Sequence, residues 1–216
     1  MGSNGNFPRL YPILDASFLT AAQDRAGFLR RLVVDLAEAG VGILQYRNKQ
    51  GTETEVLADA RVMREAAGSG MRLILNDWPE LALAAGFNGV HVGQMDVTAA
   101  QARAIMGTGK IVGVSTHNEA QLRAADGEPV DYIAIGPVFA TATKANSDPV
   151  VGLSGVRLAR SITSKTLVAI GGISIENAAA VRQAGADSIA AISAIFSPGC
   201  DASKSAANFV RILENA

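Results

Sequence analysis

The sequence predicts a single α/β domain folded as a small (β/α)8 TIM barrel, with parallel strands inside and helices outside. Three observations carry this. Eight short β-rich apolar runs alternate with stretches of helical apolar spacing between Leu10 and Ile192. Strict alternation of strand and helix implies a parallel sheet, and eight such units in 216 residues match the lower size limit of the barrel. No linker or low-complexity stretch divides the chain.

The first run, LYPIL at Leu10 to Leu14, is followed by Phe28, Leu32, Leu36 and Ala39, which share one helical face. The second run is GILQY at Gly42 to Tyr46, the third RLIL at Arg72 to Leu75, and the fourth GVHV at Gly89 to Val92. The fifth is IVGV at Ile111 to Val114 and the sixth YIAI at Tyr132 to Ile135. The seventh, LVAI at Leu167 to Ile170, precedes the helical spacing of Ala178, Val181 and Ala184, and the eighth is SIAAI at Ser188 to Ile192. Ala39-Gly40, Ala85-Gly86 and Ala184-Gly185 each close a helical stretch shortly before a strand, where a helix-terminating glycine belongs. A doubly wound open sheet is the structural rival. It would use fewer strands for this length, and no G-x-G-x-x-G follows the first run. Residues 1–8 are expected to form a loose tail and residues 9–216 the barrel.

An apolar content of 49% against 18% charged residues supplies a sizeable core. A net charge of −1 gives no basic field to draw the chain onto nucleic acid or anionic lipid, so neither is expected as a partner, and an anionic ligand must be met by local charge. The sole cysteine, Cys200, cannot form an internal disulfide and reads as a small apolar residue, which fits a reducing cytoplasm. The first six residues lack the regions of a signal peptide, and no apolar run reaches the roughly 18 residues needed to span a bilayer. A soluble, cytoplasmic protein is expected, and the sequence allows a homo-oligomer as well as a monomer.

In a barrel, polar residues just after each strand collect at one rim, where the active site lies. After strand two, Gln45, Arg47 and Lys49 project to one side while Tyr46 and Asn48 face away. Two cations and an amide on one face suit an anion with several oxygens, although a solvated charged strand end fits the same residues. Asn76-Asp77 follows strand three and Asp96 follows strand four. Two carboxylates on adjacent loops suit Mg2+ when a diphosphate supplies the remaining oxygens, and each taken alone also suits a helix cap or turn, Asp96 especially. His91, inside an apolar strand, reads as a hydrogen-bonded core or rim residue. With His117 as the only other histidine, a three-histidine zinc site is excluded, and no G-x-S-x-G elbow supports a serine nucleophile.

The longest loop runs from Gly136 to Gly155 and opens with Thr141, Thr143 and Lys144, all donors to phosphate, which suggests a lid. Gly171-Gly172 after strand seven and Ile192-Ser193 after strand eight each precede a helix, and these two loops are the recurrent phosphate site of this fold.

These stretches, in order, resemble the thiamine-phosphate synthase family from about Tyr11 to Phe196. The marks are QYRNK at Gln45 to Lys49, ND at Asn76-Asp77, GVHVGQMD ending at Asp96, GVSTHN from Gly113, GPVFATATK ending at Lys144, GGI at Gly171 to Ile173 and IS at Ile192-Ser193. The resemblance implies a transferase that joins hydroxymethylpyrimidine diphosphate to a thiazole phosphate, with Mg2+ as cofactor. Gln45, Tyr46, Arg47, Asn48, Lys49, Asn76, Ser115 and Lys144 would bind the pyrimidine diphosphate, and Asp77 and Asp96 the metal. Thr141, Ala142, Thr143, Gly172, Ile192 and Ser193 would bind the thiazole phosphate. Arg47, Lys49, Ser115 and Lys144 are the expected catalytic residues. Met95 stands where the family often has an acidic residue and should point away from the metal. A thiazole tautomerase of the same fold is the nearest alternative, but relatives of that kind lose the two aspartates. A non-catalytic paralogue that binds phosphate ligands would lose cations from the diphosphate site.

Overall fold

All eight strands form, in sequence order, as β1 (Leu10–Asp15), β2 (Ile43–Arg47), β3 (Arg72–Asn76), β4 (Gly89–Val92), β5 (Ile111–Thr116), β6 (Tyr132–Ile135), β7 (Thr166–Ile170) and β8 (Ser188–Ala191). This is a computed structural model that describes residues 7–19, 23–141 and 148–216. Every neighbouring pair is parallel, and β8 pairs back onto β1 to close the barrel. The open-sheet rival is thereby excluded. A 3-10 turn at Ala16–Leu19 follows β1. The outer helices are α1 (Arg25–Glu38), α2 (Glu53–Ala67), α3 (Pro79–Ala84), α4 (Ala99–Met106), α5 (Glu119–Asp126), α6 (Gly152–Ile162), α7 (Ile175–Gln183), α8 (Ser193–Phe196) and α9 (Ala202–Glu214).

The three Ala-Gly marks terminate α1, α3 and α7 in one way. Gly40, Gly86 and Gly185 have φ of 87°, 71° and 115°, a region that costs a side chain and that glycine enters freely. Beyond each glycine, the N–H of Val41, Phe87 or Ala186 reaches back to the carbonyl of Leu36, Ala82 or Val181, so that the reversal satisfies carbonyls the helix leaves open. The strand begins three residues after the glycine each time, at Ile43, Gly89 and Ser188.

Side chains divide by strand alternation into two apolar layers. Tyr11, Ile13, Ile43, Ile74, Tyr132, Ala134, Val168 and Ala190 fill the barrel interior, whereas the larger cluster lies between sheet and helices. Phe7, expected in the tail, packs its ring 5.9 Å from Tyr11 and 5.2 Å from Tyr132. The long loop ends earlier than expected, because α6 already begins at Gly152. Cys200 is exposed, which corrects its reading as a small apolar residue. Among the described residues no helix is long and apolar enough to cross a membrane.

Candidate active site

The C-terminal ends of β1 to β4 bring five charges together. Asp15 and Arg47 are register partners on β1 and β2, so alternation turns both the same way, and Arg47 Nη1 donates to Asp15 Oδ2. The Asp15 carboxylate also accepts from the Ser17 N–H at 3.0 Å. Burial works to raise its pKa, but the Ser17 and Arg47 contacts outweigh this and hold it below the usual carboxylate range.

Beside that pair, Lys49 Nζ bridges the two predicted metal ligands. It contacts Asp77 Oδ2 directly and lies 3.6 Å from Asp96 Oδ1. Asp77 is the one non-glycine residue among those described with positive φ, 70°, a conformation that Asp and Asn tolerate better than other side chains. Burial and the neighbouring Asp96 carboxylate raise its pKa to about 6 against the pull of Lys49. Asp96 goes the other way. Burial is outweighed by hydrogen bonds from Asp77 and from the Gly93 N–H at 2.8 Å, together with the Lys49 charge. Neither aspartate caps a helix, since Trp78 and Thr98 hold those positions at α3 and α4. Among the described residues no group of three His, Cys, Asp or Glu side chains converges on a metal position, so two carboxylates are the largest share of a cation site this rim supplies. Met95, 96% exposed, points into solvent.

Two side chains of the QYRNK motif bond away from the charged cluster. Tyr46 lies fully buried on the outer face of β2, where its hydroxyl donates to Asp59 on α2, a carboxylate also held by Arg25 of α1 at 2.7 Å. Asn48 turns back, donating to the Tyr46 hydroxyl at 3.3 Å and accepting from the Gly51 N–H at 2.8 Å. Both side chains thus support the end of β2, as alternation along the strand requires. Gln45 faces the interior and donates to the Tyr11 hydroxyl at 3.0 Å. Asn76 is buried at the end of β3.

Ser115 stands half-buried on β5, its Oγ 2.8 Å from His91 Nε2 and its carbonyl accepting from Gln94 at 2.7 Å. His91 Nδ1 lies 2.8 Å from the Tyr132 hydroxyl, which lies 2.9 Å from that of Tyr11. Burial drives the His91 pKa down to about 4, so the imidazole is neutral. Asp15, Tyr11 and Tyr132 are missing from the site residues expected from sequence. Continuing the parity Tyr11, Ile13, Asp15 along β1 would have found the first two.

On the far side, the loops after β6 and β7 are laced together: the Val138 and Phe139 N–H groups donate to the Ile170 and Gly171 carbonyls, both at 2.9 Å. The Gly136–Pro137 peptide is cis. Gly172, with φ of 64°, sits so close that a Cβ there would lie 2.5 Å from the Ala140 carbonyl oxygen. Its lack of a side chain thus serves the packing of the two loops. Ile192 is half-buried against the interior cluster and Ser193 opens α8 at the exposed edge. Thr141 is half-buried where the described part of the loop ends, and Ala142, Thr143 and Lys144 lie outside the described residues.

Barrel and rim together define an enzyme of the (β/α)8 class with a charged mouth built from several strand ends. A family model described as thiamine monophosphate synthase matches residues 11–195. A thiamine-phosphate synthase from Koribacter versatilis is 47% identical over the whole of both chains. One from Agrobacterium fabrum is 40% identical, covering 87% of this chain and 86% of its own. A solved thiamine phosphate pyrophosphorylase from Pyrococcus furiosus superposes with a TM-score of 0.84 at 28% identity, covering 97% of each chain. The chain belongs to the thiamine monophosphate synthase family.

Proposed function

We propose that the protein is a thiamine-phosphate synthase, a transferase joining hydroxymethylpyrimidine diphosphate to a thiazole phosphate and releasing diphosphate. The observation that carries this is the Lys49 bridge between Asp77 and Asp96 beside the Asp15–Arg47 pair. Three carboxylates face two cations in that cluster, so a diphosphate alone would meet a field of its own sign. A divalent cation reverses that balance. The oxygen-only donor set and the raised pKa of Asp77, a carboxylate short of positive charge, fit Mg2+, which commonly takes one or two carboxylates and leaves other positions to phosphate and water. When bound there, the metal would draw charge off the diphosphate oxygens.

The chain's own groups then have defined tasks. Arg47 and Lys49 offer N–H donors to the leaving diphosphate as the bond between its oxygen and the pyrimidine methylene breaks, the electron pair departing with oxygen. The electron-rich pyrimidine carries the resulting cation. The thiazole nitrogen donates its lone pair to the methylene carbon, forming the new C–N bond without loss of a proton. No protein nucleophile is required, and the barrel chiefly orients two substrates and keeps water from the cation. Ser115 would hold the pyrimidine diphosphate. The Gly172 and Ser193 loops, with Thr141 and Ile192, would hold the thiazole phosphate, and the family resemblance adds Lys144 as a third cation over the mouth.

The test is direct. Purified protein, both substrates and Mg2+ should yield thiamine phosphate and diphosphate, and a chelator should stop the reaction. No condensation at several pH values and with several divalent metals would overturn the proposal, and isomerisation of the thiazole phosphate alone would assign a tautomerase instead.

A further inference from the structure

The barrel interior contains an unbroken polar chain of which the proposed chemistry uses only the last member, Ser115. It runs Gln45 Nε2 to Tyr11 hydroxyl at 3.0 Å, Tyr11 to Tyr132 hydroxyl at 2.9 Å, Tyr132 hydroxyl to His91 Nδ1 at 2.8 Å, and His91 Nε2 to Ser115 Oγ at 2.8 Å. Four of its five side chains are buried, and Ser115 is the member that reaches the mouth.

Its geometry is built for. His91, Gly113 and Tyr132 are register partners across β4, β5 and β6. A Cβ on Gly113 would stand 1.9 Å from Tyr132 Cζ, so the absent side chain is what lets Tyr132 lie against His91, their rings 5.5 Å apart and inclined by 19°. A backbone gap in the middle strand therefore creates the contact between the outer two.

Proton counting gives the chain a direction. A phenol hydroxyl has a single hydrogen to donate. Gln45 donates to Tyr11, so the Tyr11 hydrogen must be given to Tyr132, its one other polar neighbour in the chain. Tyr132 must then donate to His91 Nδ1, which has to be unprotonated. The remaining imidazole hydrogen is on Nε2 and points at Ser115 Oγ. Were His91 protonated on both nitrogens, Tyr132 would have to donate to Tyr11 and leave the buried Tyr11 hydrogen without an acceptor, at the cost of an unmade hydrogen bond.

We infer that Gln45, Tyr11, Tyr132 and His91 form a one-way hydrogen-bond relay that fixes His91 as its Nε2–H tautomer and so commits the Ser115 hydroxyl hydrogen to the bound pyrimidine diphosphate. The last clause rests on the function proposed above. His91 is a positioning residue, acting through Ser115. Turning the Gln45 amide around would reverse every step, making Ser115 a donor to His91 and presenting only lone pairs to an anionic ligand. The two directions are mutually exclusive.

The experiment is a ligand-free nitrogen-15 spectrum of the histidine-labelled protein. Only two histidines are present, and His117 supplies an internal standard of opposite hand, because its Nδ1 lies 2.7 Å from the Gly136 carbonyl and must carry the hydrogen. The expected spectrum shows one Nε2–H and one Nδ1–H imidazole, the former assigned to His91 by its loss in His117-retaining His91→Gln protein. An Nδ1–H signal for His91, or a doubly protonated ring at neutral pH, overturns the relay. Tyr132→Phe should release the constraint and give mixed tautomers, with KM for the pyrimidine diphosphate up about twofold, because about half of the molecules keep the Nε2–H form. KM for the thiazole phosphate should stay unchanged, a split that general loosening of the barrel would not produce. His91→Gln, which keeps an N–H near the Nε2 position, should recover most of the pyrimidine affinity, whereas His91→Asn should not. Condensing enzyme with the wrong tautomer would sink the relay alone, and the right tautomer without condensation would sink the function alone.

Discussion

Asp77→Asn should make the metal-free protein more stable and the enzyme less active. Burial and Asp96 raise the Asp77 pKa from 3.8 to about 6, so its ionised form is held in the fold at a cost. A shift of roughly two units corresponds to about 3 kcal/mol at 1.36 kcal/mol per unit, and solvent screening at the open mouth reduces this to about 1–2 kcal/mol. Asparagine removes the charge, keeps the shape and tolerates the 70° φ, which alanine would not. For a chain of this size the gain is a rise in Tm of about 2–8 °C. The sign follows from linkage. A carboxyl whose folded pKa is raised binds its proton more tightly in the folded state, so wild-type stability is full below the unfolded pKa near 3.8 and falls as pH rises through about 6. Thermal unfolding in chelator should therefore show the variant's advantage opening between pH 4 and 6 and holding constant above. Adding Mg2+ at about ten times its dissociation constant should return about 1.4 kcal/mol to wild type and much less to the variant. If the variant melts below wild type in chelator at pH 7.5, the Lys49 pairing outweighs the carboxylate repulsion and the reasoning fails.

Two further outcomes test the supports of the site. Tyr46→Phe should cost about 1 kcal/mol by leaving the buried Asp59 with one fewer donor, while KM for both substrates stays within about twofold; chemical denaturation and steady-state kinetics check this, and a large rise in KM would assign the Tyr46 hydroxyl to the ligand instead. Gly86→Ala has room for its Cβ, the nearest neighbour being Arg64 Cγ at 3.7 Å, so only the 71° φ opposes it; a loss of about 1–2 kcal/mol, seen as a fall in Tm with unchanged activity, isolates the backbone term.

The fold is readable in the sequence because its signals are local. A run such as LVAI and a helix-ending glycine three residues before a strand each act within one turn or one strand, and their physics does not depend on what the rest of the chain does. The errors at element ends have local causes too. β2 and β3 extend one residue further than their apolar runs, to Arg47 and Asn76, because neighbouring strands continue to pair with them where the side chains turn polar. Asp96, well placed to cap α4 by sequence, gives that task to Thr98, whose hydroxyl and the Gln101 side chain together satisfy the first turn.

The site is only half readable, and strand alternation explains which half. Within QYRNK alternation alone sorts the residues: Gln45 and Arg47 face the barrel axis, as expected from sequence, while Tyr46 faces the helices and Asn48 folds back onto it. The charged cluster assembles from two strand ends and the loops after β2, β3 and β4, and the partner that completes it, Asp15, carries no motif at all. Its position follows from parity with Tyr11 and Ile13 and from register with Arg47. The interior relay is further from any sequence pattern, since Tyr11 and Tyr132 are 121 residues apart and meet only after the barrel closes. The residue that makes their arrangement feasible, Gly113, contributes nothing but space. A glycine inside an apolar strand is thus a pointer in its own right: in a parallel barrel it marks the place where side chains from the two neighbouring strands can touch, and reading inward parity from that gap outward leads to His91, Tyr132 and Ser115.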